Sequence, residues 1–311
     1  MFENMNYVYE VYKEGSFSKA AKKLFISQPS LSASVKRIED RLGYKIFDRT
    51  QKPLKLTELG EKYIESMMAI RRIEQDFQSY LESYGDLKTG TLRLAGTNLV
   101  ASLVLPPLIE RFHLKYPLIE TELSEGTSSE IEKMLTDGEI DMVADYTMPN
   151  YDMFDHKTIS DEYLILTVPK SFEINRSLLK YQIPLRAIKD LSFIDTRYPI
   201  VPLESFSDVP FVMLRRVNDT AKRAMKLCNA AGFYPRVSFE APQQMTGYHI
   251  CASGLGAAFV SSILLSRMAE NPSLSYYKVD PRYAKRELRL LWKKDKYFTR
   301  AMREFSNIVF E

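Results

Sequence analysis

The 311-residue sequence predicts an α+β protein of several domains: a small helical domain with a two-stranded wing, a long helix, and an α/β body of two lobes. Apolar residues recur at helical spacing in the N-terminal part, whereas strand-like and helix-like runs alternate from Thr91 onward. A chain of this length also favours two or three domains. The expected boundaries are 1–57 for the winged domain, 58–90 for the long helix and a hinge, and 91–311 for the body, with lobe 1 at about 91–163 and 269–311 and lobe 2 at about 164–268.

Two short helices are predicted first. The segment around Tyr12 carries one apolar face, and Gly15 is suited to end that helix. Ser16 is expected to cap the second helix, where the small side chains of Ala20 and Ala21 permit close helix packing.

The third helix is predicted to begin at Ser27 or Gln28, with Pro29 at an early position where a missing N–H has no cost. Its inward stripe consists of Leu31, Val35, Ile38 and Leu42. The other faces hold short or basic side chains, namely Ser30, Ser32, Ala33, Ser34, Lys36 and Arg37. Serine forms helices poorly, so this concentration of hydroxyls needs a functional explanation.

A wing and a long helix follow. YKIFDRTQKPLKLT predicts two short strands that turn at residues 51–53. From Thr57 to Tyr84 the apolar residues approximate a 3-4 repeat over about seven turns. Because no globular core is expected within reach of so long a helix, we expect it to pair with the same helix of a second copy. Gly85 and Gly90 mark the hinge.

Beyond the hinge, two successive α/β units predict two lobes with a cleft between them. The predicted strands are TLRLAG, IETELSE, IDMVADY, EYLILTVP, LSFIDT, FVMLRR, RVSFEA, GAAFVSS, LSYYKVD and ELRLLWKK. Helices are expected between them, including one continuous helix over 101–117 and a terminal helix from Tyr297.

The N-terminal pattern fits a winged helix-turn-helix, in which the start of the third helix enters the DNA major groove. Short hydroxyls there permit close approach to base edges and can bond to phosphates. The charge distribution agrees, because residues 1–60 hold 11 Lys/Arg against 7 Asp/Glu while the whole chain carries only +3. An ordinary small helical domain is the alternative. The candidate DNA-binding residues are Ser16, Ser18, Ser27, Gln28, Pro29, Ser30, Ser32, Ala33, Ser34, Lys36, Arg37, Arg49 and Lys52.

The run YKEGSFSKAAKKLFISQPSLSASVKRIEDRLGYKIFDRTQKPLKLTELG, from Tyr12 to Gly60, resembles the DNA-binding region of the LysR-type transcriptional regulators. LPPLIERFHLKYP, DGEIDMVA and AGFYPRVSFEA with GLGAAFVSS resemble that family's effector-binding domain, a two-lobed fold similar to periplasmic binding proteins. The resemblance implies double-stranded DNA, a small-molecule effector and RNA polymerase as partners, a homodimer or homotetramer, and effector control of promoter binding and DNA bending. Ala33-Ser34 stands where the family often has Arg-Gln, so we expect the chain's own DNA specificity at this pair.

Strand-to-helix junctions are the candidates for the effector site, because ligands of such folds lie outside the carboxyl ends of strands. The resemblance carries effector contacts onto Thr97 and Thr127 most directly. The full candidate set is Thr97, Asn98, Thr127, Ser128, Arg215 and Asn218. Helix capping is the alternative role of the polar residues, and plain exposure is the alternative for the arginine. An arginine that faces the cleft would favour an anionic effector, with a carboxylate or phosphate.

Other properties of the sequence argue against several classes of protein. The three histidines have no catalytic or metal spacing, so we expect neither an enzyme nor a metal or other cofactor. The most apolar window, Leu255–Leu265, is far shorter than the roughly 20 residues that span a bilayer. With no signal peptide visible, we expect a cytoplasmic protein that does not bind membranes.

Three other functions stay open. A solute-binding protein or an enzyme could use the same two-lobed body, although neither needs a basic winged head. An architectural DNA-binding protein would respond to no ligand. A redox-responsive regulator would use Cys228 and Cys251, whose ordinary role would be that of two buried thiols.

Overall fold

The computed structural model describes residues 4–51, 53–83, 90–146, 152–216 and 218–311, without the side chains of residues 72, 75, 76 and 78–83. The chain divides into two compact units, Met1–Leu81 and Glu82–Glu311. We call them the head and the body and describe each by itself.

The described part of the head contains four helices and a two-stranded wing. Its elements are α1 (Met5–Glu14), α2 (Phe17–Lys23), α3 (Gln28–Leu42), β1 (Phe47–Asp48), β2 (Lys55–Leu56) and α4 (Glu58–Ser83). In the antiparallel wing, Phe47 pairs with Leu56. The predicted winged helix-turn-helix is confirmed. Lys52, which the sequence predicts at the turn of the wing, lies outside the described residues.

Serine caps fix where α2 and α3 begin. The hydroxyl oxygen of Ser16 accepts the N–H of Lys19 at 3.4 Å, and that of Ser27 accepts the N–H of Ser30 at 3.3 Å. Each cap satisfies an N–H that has no partner inside its helix, which stabilises a helix by about 1 kcal/mol. Ser16 is thus the cap expected for α2, and Ser27 has the same local role at the start of α3.

The turn between α2 and α3 has an unusual backbone. Phe25 adopts a left-handed φ of 55°. Its N–H donates to the carbonyl of Lys22 at 3.3 Å and the N–H of Ile26 donates to the carbonyl of Ala21 at 3.1 Å, which is a Schellman ending of α2. Glycine usually occupies this position, because a side chain there costs about 1–2 kcal/mol. The Phe25 ring is 96% exposed, so burial does not offset that cost.

One hydrophobic core joins the helices of the head, and it includes Leu31, Val35 and Ile38 of the predicted α3 stripe. The N-terminal half of α4 contributes four buried side chains, namely Tyr63, Ile64, Met67 and Met68. The expectation that no core lies within reach of α4 is therefore wrong for this half. The compact unit accordingly runs to Leu81 and does not end at residue 57.

Gly60 permits a close approach between α4 and the chain before the wing. A Cβ at this position would overlap the carbonyl oxygen of Ile46. The hydroxyl of Thr57 accepts the N–H of Gly60 at 2.9 Å and lies 2.6 Å from the carbonyl oxygen of Lys45, to which it donates. The start of α4 is thus fixed directly to the segment that leads into β1.

The body is built from strands and helices in alternation. Its strands are β3 (Thr91–Gly96), β4 (Glu120–Glu125), β5 (Met142–Asp145), β6 (Phe154–Pro169), β7 (Gln182–Ile183), β8 (Pro210–Leu214), β9 (Arg236–Ala241), β10 (Ala257–Ser261), β11 (Leu274–Lys278) and β12 (Lys285–Lys293). Its helices are α5 (Asn98–Leu103), α6 (Leu105–Lys115), α7 (Ser128–Asp137), α8 (Ile174–Ser177), α9 (Leu185–Lys189), α10 (Asp219–Ala230), α11 (Gln244–Ala252), α12 (Ser262–Arg267), α13 (Pro281–Ala284) and α14 (Arg300–Phe310), with 3₁₀ turns at Leu179–Tyr181, Ser192–Ile194 and Leu203–Phe206.

Strand β6 belongs to both lobes. Over Phe154–Tyr163 it pairs with β12, in a sheet ordered β4-β3-β5-β12-β6. Over Leu164–Pro169 it pairs with β10 and β11, in a sheet that continues through β8 to β9 and, beyond β11, to β7. We call the first sheet and its helices lobe 1 and the second sheet and its helices lobe 2.

The chain returns to lobe 1 later than expected. β11 pairs with β6 and β7, and Ala284 of α13 packs in a core of lobe 2. The return occurs at Lys285, where β12 begins opposite Tyr163. The expected return at residue 269 is therefore wrong. The strands β11 and β12 follow each other in the chain but belong to different sheets, and their amino-acid composition does not indicate to which sheet each belongs.

Three local expectations are also wrong. The helix expected over 101–117 is two helices, because the adjacent prolines of α6 lack N–H donors and suit only the start of a helix. LSFIDT forms a 3₁₀ turn, entered through Leu191 at a left-handed φ of 60°. The terminal helix starts at Arg300, because Thr299 caps it and accepts the N–H of Met302 at 3.1 Å.

The two lobes contact each other through α5 and α12. Leu99 and Leu103 of α5 pack against the core of lobe 2. Ile263 of α12 packs against the core of lobe 1. These contacts hold the carboxyl edges of the two sheets in one region of the body.

Candidate DNA interface and effector cleft

The start of α3 presents an exposed surface of short and basic residues. It consists of Ser27, Gln28, Pro29, Ser30, Ala33, Lys36 and Arg37, all of them exposed. We call this set the recognition surface. Its first residues are small and its later ones are cationic, an arrangement that admits a helix into the major groove and attracts phosphates.

Ser34 is not part of this surface. Its side chain is only 8% exposed, and its oxygen accepts a hydrogen bond from Nη2 of Arg37 at 3.1 Å. The expectation that Ser34 lies on an outer face is wrong, because it follows Leu31 by three residues and precedes Ile38 by four, which places it on the inward stripe. The exposed member of the pair that departs from the family pattern is Ala33.

The other predicted serines differ in accessibility. Ser18 is exposed on α2, while Ser16 is engaged as the cap of that helix. Ser32 is half-buried, and its oxygen accepts a hydrogen bond from Nη1 of Arg49 at 3.4 Å. The structure therefore brings Ser32 of α3 together with the wing.

Arg49 connects the wing to two helices. Its Nη2 lies 3.2 Å from Oε2 of Glu39 on α3, and its guanidinium carbon lies 4.8 Å from the ring centre of Phe17 on α2. The Arg49 side chain is nevertheless 42% exposed. It can contact the DNA backbone while its head group is held by the protein.

Glu39 is the residue of this region that the sequence analysis missed. Its side chain is fully buried, and Oε1 accepts the N–H groups of Ile46 and Phe47 at 2.9 and 3.3 Å. The signal was weak, because a glutamate directly after the inward Ile38 suits an exposed helix position equally well.

One edge of lobe 1 is formed by the carboxyl ends of parallel strands. Gly96 of β3 lies opposite Glu125 of β4 and Ala144 of β5. The segments after these strands therefore meet at one edge, where ligands of such sheets bind. The structure brings together four predicted residues there, namely Thr97, Asn98, Thr127 and Ser128.

Bonds within lobe 1 engage Thr97 and Asn98. Oγ1 of Thr97 donates to Oδ1 of the buried Asp145 at 3.2 Å, and Nδ2 of Asn98 donates to Oε1 of Glu125 at 2.8 Å. Asp145 was not identified from the sequence, although it ends β5 at the same edge. The neighbours of these two residues are thus carboxylates.

Thr127 caps α7 in a reciprocal arrangement with Glu130. The Thr127 hydroxyl accepts the N–H of Glu130, and the Glu130 carboxylate accepts the N–H of Thr127 at 2.8 Å. The Glu130 carboxylate also accepts the Thr127 hydroxyl at 2.7 Å. The two bonds that it accepts lower the pKa of Glu130, and the bond from the backbone N–H has the larger effect. Ser128, the next residue, lines a small and mostly apolar cavity between α7 and the sheet.

The two predicted residues of lobe 2 follow β8. Asn218 caps α10, because its Oδ1 accepts the N–H of Thr220 at 2.9 Å. The backbone N–H of Arg215 donates to the carbonyl of Ala241 at 3.3 Å, and its side chain is exposed. Arg215 therefore supplies a cation at the carboxyl edge of lobe 2.

A largely buried group of polar residues connects the lobes, and the sequence analysis did not identify it. Oε2 of the fully buried Glu162 on β6 lies 3.0 Å from Nη1 of Arg223 and 2.7 Å from Nε of Arg286. Arg286 also lies 2.7 Å from the carboxylate of Asp219, and its guanidinium carbon is 3.5 Å from the ring centre of Tyr146. Burial raises the pKa of Tyr146 and lowers that of Arg223. We call these five residues the interlobe cluster.

The two cysteines lie in separate cores of lobe 2. Cys251 packs in one hydrophobic cluster and Cys228 in another. Both thiols are buried and free, and burial raises the pKa of each to about 12. Since the thiolate is the reactive form, this environment does not support a redox sensor.

Within the described residues, no three or more His, Cys, Asp or Glu side chains are arranged to hold a metal ion. In the same part of the chain, every helix is too short or too polar to cross a membrane.

The fold and its surfaces define a class of protein. A winged helix-turn-helix with an exposed recognition helix, followed by a two-lobed α/β domain, is the architecture of a DNA-binding regulator with an effector-binding domain. Family models identify the particular family. The bacterial regulatory helix-turn-helix protein, lysR family, matches residues 2–61, and the LysR substrate binding domain matches residues 85–311. The chain belongs to the LysR family of transcriptional regulators.

Curated relatives are similar over most of their length. The uncharacterized HTH-type transcriptional regulator YcgK of Bacillus subtilis (strain 168) is 28% identical over 276 residues, which cover 88% of this chain and 83% of the relative. The HTH-type transcriptional regulator CysB of Haemophilus influenzae is 26% identical over 266 residues, which cover 83% of this chain and 75% of the relative. Both are named as transcriptional regulators and neither as an enzyme.

Solved structures share the fold across the whole chain. A full-length OxyR variant from Pseudomonas aeruginosa has a TM-score of 0.68 at 20% identity, over 97% of this chain and 92% of its own. CbnR, solved in complex with its target DNA, has a TM-score of 0.62 at 19% identity, over 100% of this chain and 99% of its own. At these identities the likeness shows the fold alone.

Proposed function

We propose that this LysR-family regulator binds a specific operator through its recognition surface, and that a small-molecule effector in the cleft controls promoter binding and DNA bending. The observation that carries the proposal is the outer face of α3, which is short and polar at its start and cationic after one further turn. An ordinary helical domain has no need of such a face. The proposal includes RNA polymerase as a partner, a homodimer or homotetramer and a cytoplasmic location, and family membership supports these three points.

The recognition surface divides into two kinds of contact. Ser30 and Ala33 are small and exposed, so they can approach base edges, whereas Lys36 and Arg37 can contact phosphates. Ser27, Gln28 and Pro29 lie at the helix start, where the groove floor is reached first. Ser16, Ser18, Arg49 and Lys52 would add backbone contacts from α2 and the wing, while the burial of Ser34 argues against a base contact by that residue.

Selection of sites from a random-sequence DNA library by the wild-type protein would test this assignment. Ser30→Ala should change the selected sequence, whereas Lys36→Ala should weaken all sequences and reduce the salt slope by about 0.9. Ser34→Ala is the matched control, because it removes the same hydroxyl from a buried position on the same helix. An unchanged preference after Ser30→Ala together with a changed one after Ser34→Ala would disprove the assignment.

Pairing of α4 with a second copy is supported by two exposed apolar residues. Ile73 and Phe77 are four residues apart, hence on one helix face, and both are exposed. The double substitution Ile73→Glu and Phe77→Glu in the full chain should lower the mass measured by light scattering. Glu74→Ala, on the same stretch of helix, should not. A dimer that survives the double substitution would contradict the pairing.

An effector site at the carboxyl edges of the two sheets is supported by their polar groups. Arg215 favours an anionic effector, whereas Glu125 and Asp145 would repel an anion from lobe 1. The negatively charged group of the effector should therefore lie on the lobe 2 side. A thermal-shift screen of carboxylates, phosphates and amines would test this. A stabiliser of the wild type that fails with Thr97→Val supports the site. A complete absence of stabilisers would favour the architectural alternative.

A further inference from the structure

The buried Glu39 lies between the recognition helix and the wing. We propose that Glu39 is a positioning residue, which holds the guanidinium of Arg49 at a fixed place beside α3 and so couples the wing to Ser32 of the recognition helix. This inference rests on the DNA-binding role proposed above. It adds a residue that does not itself touch DNA.

The two oxygens of Glu39 have different tasks. Oε1 accepts two backbone N–H groups, from Ile46 and Phe47, and thereby fixes the chain where it enters β1. Oε2 lies 3.2 Å from Nη2 of Arg49 and 3.5 Å from Nζ of Lys45. A fully buried carboxylate must keep such partners, because an unpaired charge in this environment is very unfavourable. Glu39 therefore fixes both the wing backbone and the wing arginine.

Arg49 is held on three sides. Besides Glu39, its Nη1 donates to Oγ of Ser32 at 3.4 Å, and its guanidinium lies over the ring of Phe17. A guanidinium has five N–H donors, so these contacts leave others available on a side chain that is 42% exposed. Because the rotamer is already fixed in the free protein, little side-chain entropy is lost when Arg49 binds a phosphate.

The bond to Ser32 also orients a group of the recognition helix. A serine hydroxyl has one hydrogen to donate and two lone pairs to accept. When its oxygen accepts an N–H from Arg49, its own hydrogen points elsewhere and can be donated to an acceptor on a base or phosphate. Arg49 thus orients the Ser32 hydroxyl as a donor, and Glu39 fixes the position of the Arg49 guanidinium.

The sign of the effect separates positioning from simple electrostatics. A negative charge near DNA repels phosphates, so its removal should strengthen binding if charge alone matters. If Glu39 acts through Arg49, its removal should weaken binding despite the lost repulsion. Glu39→Gln tests this directly, because the amide keeps an oxygen that can accept the two backbone N–H groups while the charge disappears.

The experiment compares wild type, Glu39→Gln, Arg49→Ala and the double variant on the duplex that the wild type selects from a random-sequence library. We expect about fivefold weaker binding for Glu39→Gln, about tenfold for Arg49→Ala, and no further loss in the double variant, because the two residues act as a unit. Both single variants should lower the salt slope by about 0.9, the value of one phosphate contact. Asp40→Asn removes a charge from the adjacent, exposed residue and should bind at least as tightly as wild type.

Several results would overturn the proposal, beginning with wild-type or tighter binding by Glu39→Gln and independent, multiplicative losses in the double variant. If Glu39 only held the wing backbone, Glu39→Gln would leave the salt slope of DNA binding unchanged, which would likewise contradict the proposal. Wild-type binding by Arg49→Ala would remove the premise and overturn it as well. Failure of the wild-type protein to select any sequence would instead refute the proposed operator recognition, which distinguishes the two failures.

A measurement on the free wild-type protein keeps the proposal testable should Glu39→Gln not fold. With arginine labelled by ¹⁵N, a held guanidinium gives separate Nη signals because rotation about its Nε–Cζ bond is slow. Separate Nη signals for Arg49, merging in Ser32→Ala, would support the proposal. A single averaged signal in the wild type would overturn it.

Discussion

Glu162 and Arg286 face each other across β6 and β12, the two strands by which the chain passes between the lobes, with Oε2 of one 2.7 Å from Nε of the other. The same carboxylate also holds Arg223 from α10. One buried carboxylate is thus shared by two guanidinium groups at the junction of the lobes, and Asp219 supplies the second negative charge. The consequences of this arrangement, and of three others, can be measured.

Glu162→Gln should lower the free energy of unfolding of the body by about 3–5 kcal/mol, because it leaves two buried guanidinium groups without their shared carboxylate. Urea unfolding followed by the fluorescence of Trp292, the single tryptophan of the chain, measures the change. The neighbouring Asp161 and its partner Lys285 are largely exposed, so Asp161→Asn should leave the midpoint nearly unchanged. Equal effects of the two substitutions would contradict the structural role of the interlobe cluster.

Phe25→Asn should stabilise the head by about 0.5–1 kcal/mol, because asparagine tolerates the left-handed conformation better than phenylalanine. The exposed ring contributes no burial that the substitution would remove. Hydrogen exchange of the amides in α2 and α3 measures local stability, and slower exchange is expected. Gly43→Ala, at a φ of 77°, should have the opposite effect and serves as the control. Faster exchange in Phe25→Asn would show that the ring makes a stabilising contact.

Gly60→Ala should destabilise the head by about 1–3 kcal/mol, because the new methyl group overlaps the carbonyl oxygen of Ile46. The sign is informative, since replacing glycine by alanine in a helix ordinarily stabilises by about 1 kcal/mol. Far-UV circular dichroism during thermal unfolding measures the effect. Ser66→Ala, on the exposed side of α4, should change little. A stabilised Gly60→Ala protein would rule out the close approach.

The thiols of Cys228 and Cys251 should resist alkylation in the folded protein at neutral pH, because their pKa of about 12 keeps them protonated. Mass spectrometry after iodoacetamide treatment, with and without denaturant, measures the difference. The pKa is raised on folding, so this contribution to stability is complete below the ordinary thiol pKa of 9.0 and is lost as pH rises toward 12. Rapid alkylation of the folded protein, with altered DNA binding, would restore the redox alternative.

Local sequence signals predicted most elements of the head. The caps at Ser16 and Ser27, the stripe of α3 and the wing depend on residues close in sequence, so spacing and residue type predict them. Ser34 was misplaced because serine occurs both on buried and on exposed helix faces. Its spacing of three residues from Leu31 did indicate the buried face.

Contacts between distant segments were not predictable in the same way. Glu39 lies seven residues before its partner Ile46, and Glu162 lies 61 residues before Arg223. Their burial depends on which elements pack together, and a single sequence does not specify that. For the same reason the strand-end positions Thr97 and Thr127 were found from local patterns, while Asp145, which accepts the Thr97 hydroxyl, was not.

The continuity of β6 has a consequence for protein engineering. Because its 16 residues complete the backbone hydrogen bonding of both sheets, neither lobe contains a whole sheet without it. A chimaera that joins one lobe to the other lobe of a relative would have to splice within this strand, between Tyr163 and Leu164, and again before Lys285. Exchange of ligand specificity between relatives should therefore succeed with the entire body, and should fail with either lobe alone.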